Sequence, residues 1–342
     1  MQMDKSLLEK LSELNGISGD EGLVRDFIIS EIKDTGADIC TDNMGNLIVF
    51  KKGRKTPERK LLISAHMDEV GFIVTFITED GFIKFDEVGG IDRRVISGKS
   101  VKINNTVSGV VTVPPIHLLS GEQRDRIPKL DEMYIDIGAS DREEAERYVS
   151  LGDSITFESD FLWDNDIITG KAIDDRAGCA IMIDMIKSEL EYDTYFSFVV
   201  QEEVGLRGAK CAAYSVNPDF SIIVESTTAA DIPNIPNDKK VCLVGEGAVI
   251  SFMDRRTIYD RQLFEEALKC GGDEIKVQVK KAVAGGNDAG SIQTAGNGVR
   301  VLAVSLPCRY LHSSYSLISA KDLISAEEIV KRMSVKILGN MI

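Results

Sequence analysis

The chain has 342 residues, 40 Lys plus Arg against 55 Asp plus Glu, a formal net charge of −15, and 43% hydrophobic and 28% charged residues. This is the composition of a folded chain long enough for two domains, each with its own core. The acidity excludes a general nucleic-acid binder, which needs clustered Lys and Arg, and no run of about 18 uncharged apolar residues is available to span a membrane.

Leu7, Leu8, Leu11 and Leu14 recur at helical spacing, with Asp4 as N-cap and Gly16 past the end. Met1 to Lys5 leads into this amphipathic segment and not into an apolar signal core. The six cysteines are scattered, none as C-x-x-C, which argues against a thiolate zinc site and points to the reducing cytoplasm. A second helix follows Ser18-Gly19-Asp20-Glu21, which reads as a capping box; Leu23, Val24, Phe27, Ile28 and Ile32 form its apolar face and Gly36 ends it. Apolar runs at 46–50 and 61–65 predict strands, the second nearly continuous, as in a strand buried on both faces. Between 72 and 160 the texture becomes that of β-hairpins, with runs at 72–77, 81–85, 101–103 and 109–113 separated by Asp80-Gly81 and Asn104-Asn105. One short acidic helix is expected over 141–149. From 161 onward the spacing predicts a helix over 175–190, then strands at 196–200, 221–224, 246–252, 275–281 and 300–306, with helices at 259–270 and 321–337. Strands alternating with helices define an α/β class with a largely parallel sheet covered on both faces. The domains read as 1–71 with 161–342, interrupted by a β-rich insert over 72–160.

Only three histidines are present, His66, His117 and His312, so a metal site must lean on carboxylates. Ala65-His66-Met67-Asp68-Glu69-Val70-Gly71 follows a buried strand. His66 and Asp68 share a face of an extended chain, so the acid can orient an imidazole that binds metal; the other reading is a satisfied strand-end His beside a surface Asp. Asp174 and Asp175, within Gly170 to Gly178, stand at the start of an apolar helix, where they either cap it or supply a carboxylate bridging two cations. Glu202 and Glu203 end an almost uncharged strand. Adjacent like charges out of water call for a cation, and one can hold metal while its neighbour acts as general base, unless both are solvated in a loop. Glu225 ends an apolar strand and His312 follows a strand and a turn; each carries little weight alone. Together, two imidazoles, three carboxylates and a spare Glu suit a two-metal site with a proton shuttle. No G-x-x-x-x-G-K-S/T loop, G-x-S-x-G elbow or H-E-x-x-H pair competes.

In order and context these segments, with Asn15 to Gly19, Gly285-Gly286-Asn287-Asp288-Ala289-Gly290 and Arg309 to Ser313, resemble the tetrahedral aminopeptidase and glutamyl aminopeptidase family of dinuclear metallopeptidases. Some members of that family carry the name endoglucanase or cellulase M, and the resemblance runs through nearly the whole chain. It implies a three-layer αβα, zinc-peptidase-like domain with a mixed, largely parallel sheet, and a barrel-like dimerisation domain in the insert. It implies two divalent ions, zinc or cobalt foremost and manganese as another choice. His66, Asp174 and Glu225 would hold one ion, and Asp174, Glu203 and His312 the other. Asp68 would orient His66, and Glu202 would act as general base and then acid. The implied activity is removal of N-terminal residues from peptides with a free N-terminus, in the cytoplasm, with no nucleic-acid or membrane partner, by dimers that assemble into a tetrahedral dodecamer. The alternative is a related amidase, deacylase or carboxypeptidase; a glycosidase or a non-catalytic scaffold fits the acids less well. Three residues depart from the family pattern: Glu225 replaces the usual Asp, Asn287 a Thr, and Ser316 an acid. His117 reads as an interface or structural residue, Cys179 as buried packing, and Asp254 as a surface acid.

Overall fold

The structure is a computed structural model that describes residues 4–342. In chain order, β1 (Asp38–Thr41), β2 (Leu47–Lys51) and β3 (Leu61–His66) precede β4 (Gly71–Ile77), β5 (Ile83–Val88), β6 (Ser100–Ile103), β7 (Val107–Thr112), β8 (Tyr134–Asp136) and β9 (Ser154–Phe157). Then follow β10 (Leu162–Asp164), β11 (Ile167–Gly170), β12 (Thr194–Val199), β13 (Phe220–Thr228), β14 (Ala248–Ile250), β15 (Val277–Val279), β16 (Arg300–Cys308) and β17 (Ser316–Ser319).

Eight of these strands form a mixed sheet in the order β1-β2-β12-β3-β13-β16-β14-β15. Its centre, β12-β3-β13-β16, is parallel. The reason lies in the apolar runs. Successive strand residues point to opposite faces, so only a continuous run can feed two covering layers. Leu61, Ile63, Phe220, Ile222, Leu302 and Val304 share one core, packed with the helices Lys5–Glu13, Gly22–Ile32, Ile173–Lys187 and Ala320–Leu338. Leu62, Ile223, Val301 and Ala303 face the other, packed with Arg207–Val216 and Ala289–Ile292. This is a three-layer α/β arrangement.

The strands from Gly71 to Phe157 instead curl into a closed barrel, β4-β5-β8-β7-β6-β9, which leaves no free sheet edge. Its separate core centres on Phe72, with Phe85 and Phe157 edge-on at 5.0 and 5.3 Å between ring centroids. A third, small sheet, β10-β11-β17, pairs Gly170 with Ser316.

Some expectations are corrected. The helix expected over 141–149 is only Arg142–Ala145, capped by Asp141. Ser18-Gly19-Asp20-Glu21 is not a capping box: the helix Gly22–Ile32 has no side-chain cap, because Glu21 accepts instead from the amides of Gly19 and Gln201. The helix Arg207–Val216 escaped the hydrophobic pattern because its buried face is mostly alanine and glycine. No helix among the described residues is long and apolar enough to cross a membrane.

Candidate active site

The pairing of β13 with β3 stops at Ile223 and Ser64, whereas β12 follows β3 as far as His66. The carboxyl ends of β3 and β13 therefore separate, and the crevice opens where parallel α/β sheets place their ligands. His66 closes β3 and Glu225 faces it from β13. Asp174 arrives from β11 and His312 from the loop between β16 and β17, so the Gly170–Ser316 pairing brings those two together. Glu202 and Glu203 lie in the turn after β12.

Three groups of side chains converge, each able to present ligand atoms within 4.8 Å of one another: His66 with Asp174 and Glu225, His66 with Glu202 and Glu203, and Asp174 with Glu203 and His312. His66 Nε2 stands 3.5 Å from both Asp174 Oδ1 and Glu225 Oε1. His312 Nε2 stands 3.4 Å from Asp174 Oδ2 and 3.2 Å from Glu203 Oε1. Asp174 thus offers one oxygen to each histidine.

Both imidazoles are held by main-chain carbonyls through Nδ1, at 2.9 Å from Asp68 O for His66 and 2.9 Å from Gly90 O for His312. A carbonyl only accepts, so each ring donates through Nδ1 and turns Nε2 to the carboxylates. The Asp68 carboxylate sits 3.5 Å from His66 Nδ1, too far for a good hydrogen bond. It accepts instead from the amides of Glu202 (3.0 Å) and Glu203 (3.1 Å) and from Ser18 Oγ (2.6 Å), and so fixes the turn that carries both glutamates.

The two acids at the helix start divide the two readings. Asp175, itself non-helical like Asp174, accepts through Oδ1 from the Gly178 amide at 3.0 Å and caps the regular helix that follows it, and a Cβ at Gly178 would lie 2.5 Å from that carboxylate. Asp174 has non-helical backbone angles and turns to the histidines.

Electrostatically the site is rich in acids and short of cations. Burial, together with the Asp174 charge, pushes Glu225 up to about 8. Burial, then the charges of Glu225, Asp288 and Glu203, pushes Glu202 well above the carboxylate range. Burial alone would push His312 down, but Asp174 and Glu203 reverse this and carry it up to about 11. Asp174 Oδ1, Glu203 Oε1 and Glu225 Oε2 are buried without a hydrogen-bond donor. Such oxygens call for a proton or a cation. A tetrahedral ion with bonds of ~2.0–2.2 Å holds its ligand atoms roughly 3.3–3.6 Å apart, close to the 3.2–3.5 Å spacings here. The residues fit a metal.

The carboxylates border a cavity of about 490 Å³ that Arg256 and Lys280 also line. Neither cation was singled out from the sequence. Asp254, expected at the surface, is buried: Oδ1 accepts from the amides of Arg256 (2.7 Å) and Thr257 (2.8 Å), and Oδ2 from Tyr259 Oη (2.7 Å). Its reach forward to three nearby donors explains the error, since an acid that satisfies its own turn needs no water. Asp288, also buried, is raised to about 7 by burial. Cys179 is buried, with Sγ donating to His66 O at 3.2 Å. His117 is exposed on the barrel, outside the cluster.

The family model described as M42 glutamyl aminopeptidase matches residues 45–329. A protein of Acetivibrio thermocellus named putative aminopeptidase is 39% identical over 95% of this chain and 96% of its own length. The TET aminopeptidase from a marine-sediment Thaumarchaeota archaeon superposes with a TM-score of 0.90 at 32% identity, covering 97% of this chain and 95% of that one. The Pyrococcus horikoshii TET1 peptidase, described as assembling into a tetrahedron or a large octahedral shell, gives 0.83 at 34% identity over 95% and 97%. M42 peptidases are metallopeptidases, in keeping with the donor set found here. The chain belongs to the M42 glutamyl aminopeptidase family.

Proposed function

We propose that the protein is a dinuclear metal-dependent aminopeptidase. The observation that carries this reading is the pair of ligand groups that share Asp174, with Glu202 beside them. His66, Asp174 and Glu225 would hold one divalent ion and Asp174, Glu203 and His312 the other, with zinc or cobalt best suited to imidazole and carboxylate and manganese also compatible. Bound there, the ions would supply Lewis-acid polarisation of the scissile carbonyl and a water acidified for attack.

The remaining work falls to the chain. Glu202 takes the proton from the attacking water and returns it to the leaving amine nitrogen, a role suited to a carboxyl whose proton affinity is raised by burial and neighbouring acids. Asp68, through the Glu202 and Glu203 amides, keeps that carboxyl in place. The free α-amino group of the substrate is drawn to the acids that line the cavity. Arg256 and Lys280 in the same lining support a preference for an acidic N-terminal side chain.

The six free cysteines support a reducing compartment, the cytoplasm. We take residues 1–71 and 161–342 as the catalytic domain and 72–160 as a dimerisation domain. Exposed Ile116 (70%) and Leu118 (69%) flank His117 on the barrel and support self-association through dimers into a tetrahedral dodecamer.

The test is Glu202→Gln assayed on aminoacyl anilides and on their N-acetylated counterparts. Turnover of the free amine should fall at least ~10²-fold with metal content intact. Turnover of the acetylated substrates by the wild type, with none of the free ones, would overturn the aminopeptidase reading in favour of a deacylase.

A further inference from the structure

The two histidines of the site are held alike but from different places. His66 donates to a carbonyl two residues away on its own strand end. His312 donates to Gly90, 222 residues away in sequence, in the turn that leaves barrel strand β5. That turn enters the site itself. Gly90 lines the cavity beside Glu202, Glu203 and His312. Gly89, at φ +84°, lies so close to the ligand shell that a Cβ there would stand 2.8 Å from Val70 Cγ1 and 3.3 Å from Glu203 Cβ. Both requirements, left-handed backbone and missing side chain, select glycine.

We propose that Gly89-Gly90 is a positioning element supplied by the barrel: the Gly90 carbonyl fixes the His312 ring, and the glycine at 89 lets that carbonyl come close enough to do so. The ion held by Asp174, Glu203 and His312 then depends on the insert, whereas the ion held by His66, Asp174 and Glu225 does not. The inference rests on the two-ion reading above. Carbonyl acceptors behind metal-binding histidines typically govern ion affinity by 10–100-fold.

The test is a calorimetric titration of chelator-stripped protein with Zn²⁺. Wild type should take up two equivalents per chain. Gly89→Ala should keep one and lose about 10–100-fold in affinity for the other. The control is Gly152→Ala, in the same barrel at φ +88°, where a Cβ meets nothing within 4 Å; it should bind as wild type. Unchanged binding in G89A, or an equal loss in G152A, overturns the inference. If G89A does not fold, G89A/V70A measured against V70A replaces it, since the left-handed strain and the Glu203 contact persist there. Fewer than two equivalents in the wild type would overturn the two-ion reading itself.

Discussion

The proposed preference for an acidic N-terminal residue can be tested at Arg256. Its main chain is pinned by the buried Asp254, and its stem lies along two glycines, where a Cβ at Gly286 would come within 3.0 Å of Arg256 Cγ and one at Gly290 within 2.8 Å of Arg256 Cβ. Arg256 is among the residues that line the cavity. Arg256→Gln keeps most of the stem and removes the charge. Two unit charges about 4 Å apart interact by about 1 kcal/mol in water and about 4 kcal/mol at an effective dielectric of 20. Arg256 is exposed, so the lower part of that range applies, about 1–2 kcal/mol, or roughly 5–30-fold in kcat/KM. The assay compares glutamyl, leucyl and lysyl p-nitroanilides. R256Q should lose that factor on the glutamyl substrate and stay within about twofold on the leucyl one. High salt should erode the wild-type preference in the same direction. Equal losses on glutamyl and leucyl substrates would refute charge recognition and leave Arg256 a packing residue.

Chelation should abolish aminopeptidase activity, and Co²⁺ or Zn²⁺ should restore it; activity that survives verified metal removal contradicts the mechanism. Behind the site, Glu69 accepts from Lys171 Nζ at 2.7 and 3.0 Å and from the Gly16 amide at 3.0 Å, and faces Arg176 at 3.4 Å, all three charged groups buried. Glu69→Gln strands two cations and should cost about 3–5 kcal/mol in urea unfolding, part of which Lys171→Met should recover. Asp322 accepts from the Gly245 and Gly247 amides, yet burial raises it to about 6. The folded chain therefore holds this proton more tightly than the unfolded one, and the Asp322 contribution to stability falls as pH rises from about 4 to about 6 and stays lower above. Subtracting Asp322→Asn from wild type should reveal a decline of about 3 kcal/mol across that window, and a flat difference would contradict it.

The sequence made the middle of the sheet legible because burial on both faces forces uninterrupted apolar runs, as in Leu61 to Ala65 and Ser221 to Val224. The same runs exposed the site: an acid or imidazole at the end of such a strand stands out against what precedes it. What stayed hidden depends on partners distant in sequence. Nothing local to Asp174-Asp175 says which caps the helix and which turns to the histidines; the pull comes from His66 and His312. Gly90 contributes a carbonyl, which no side-chain pattern registers. Asp254, Tyr259 and the Arg256 and Thr257 amides form a turn network whose solvent-like composition conceals the burial of Asp254 and Tyr259. The short strands β1, β10 and β17 carry too few apolar residues for any period to appear.

Two neighbouring residues show how the fold treats buried charge. Glu69 lies beside Asp68, and around Glu69 the chain supplies its own compensation in Lys171 and Arg176. One layer further out, Asp174, Glu203 and Glu225 face only two imidazoles, although a lysine and an arginine flank Asp174 in sequence at 171 and 176. Those cations are turned away: Arg176 donates to Met67 O, Leu11 O and Leu14 O, and Lys171 to Leu14 O as well as Glu69. Available positive charge is thus spent on anchoring the first helix and the end of β3, and withheld from the acids beside it. Isolated ionised carboxylates do not persist in such surroundings; they pick up protons or a cation. A chain that can neutralise one buried acid twice over while leaving three others to two imidazoles has kept that place for charge from outside. The barrel's Gly90 carbonyl, aligning the second imidazole toward the same gap, belongs to that arrangement.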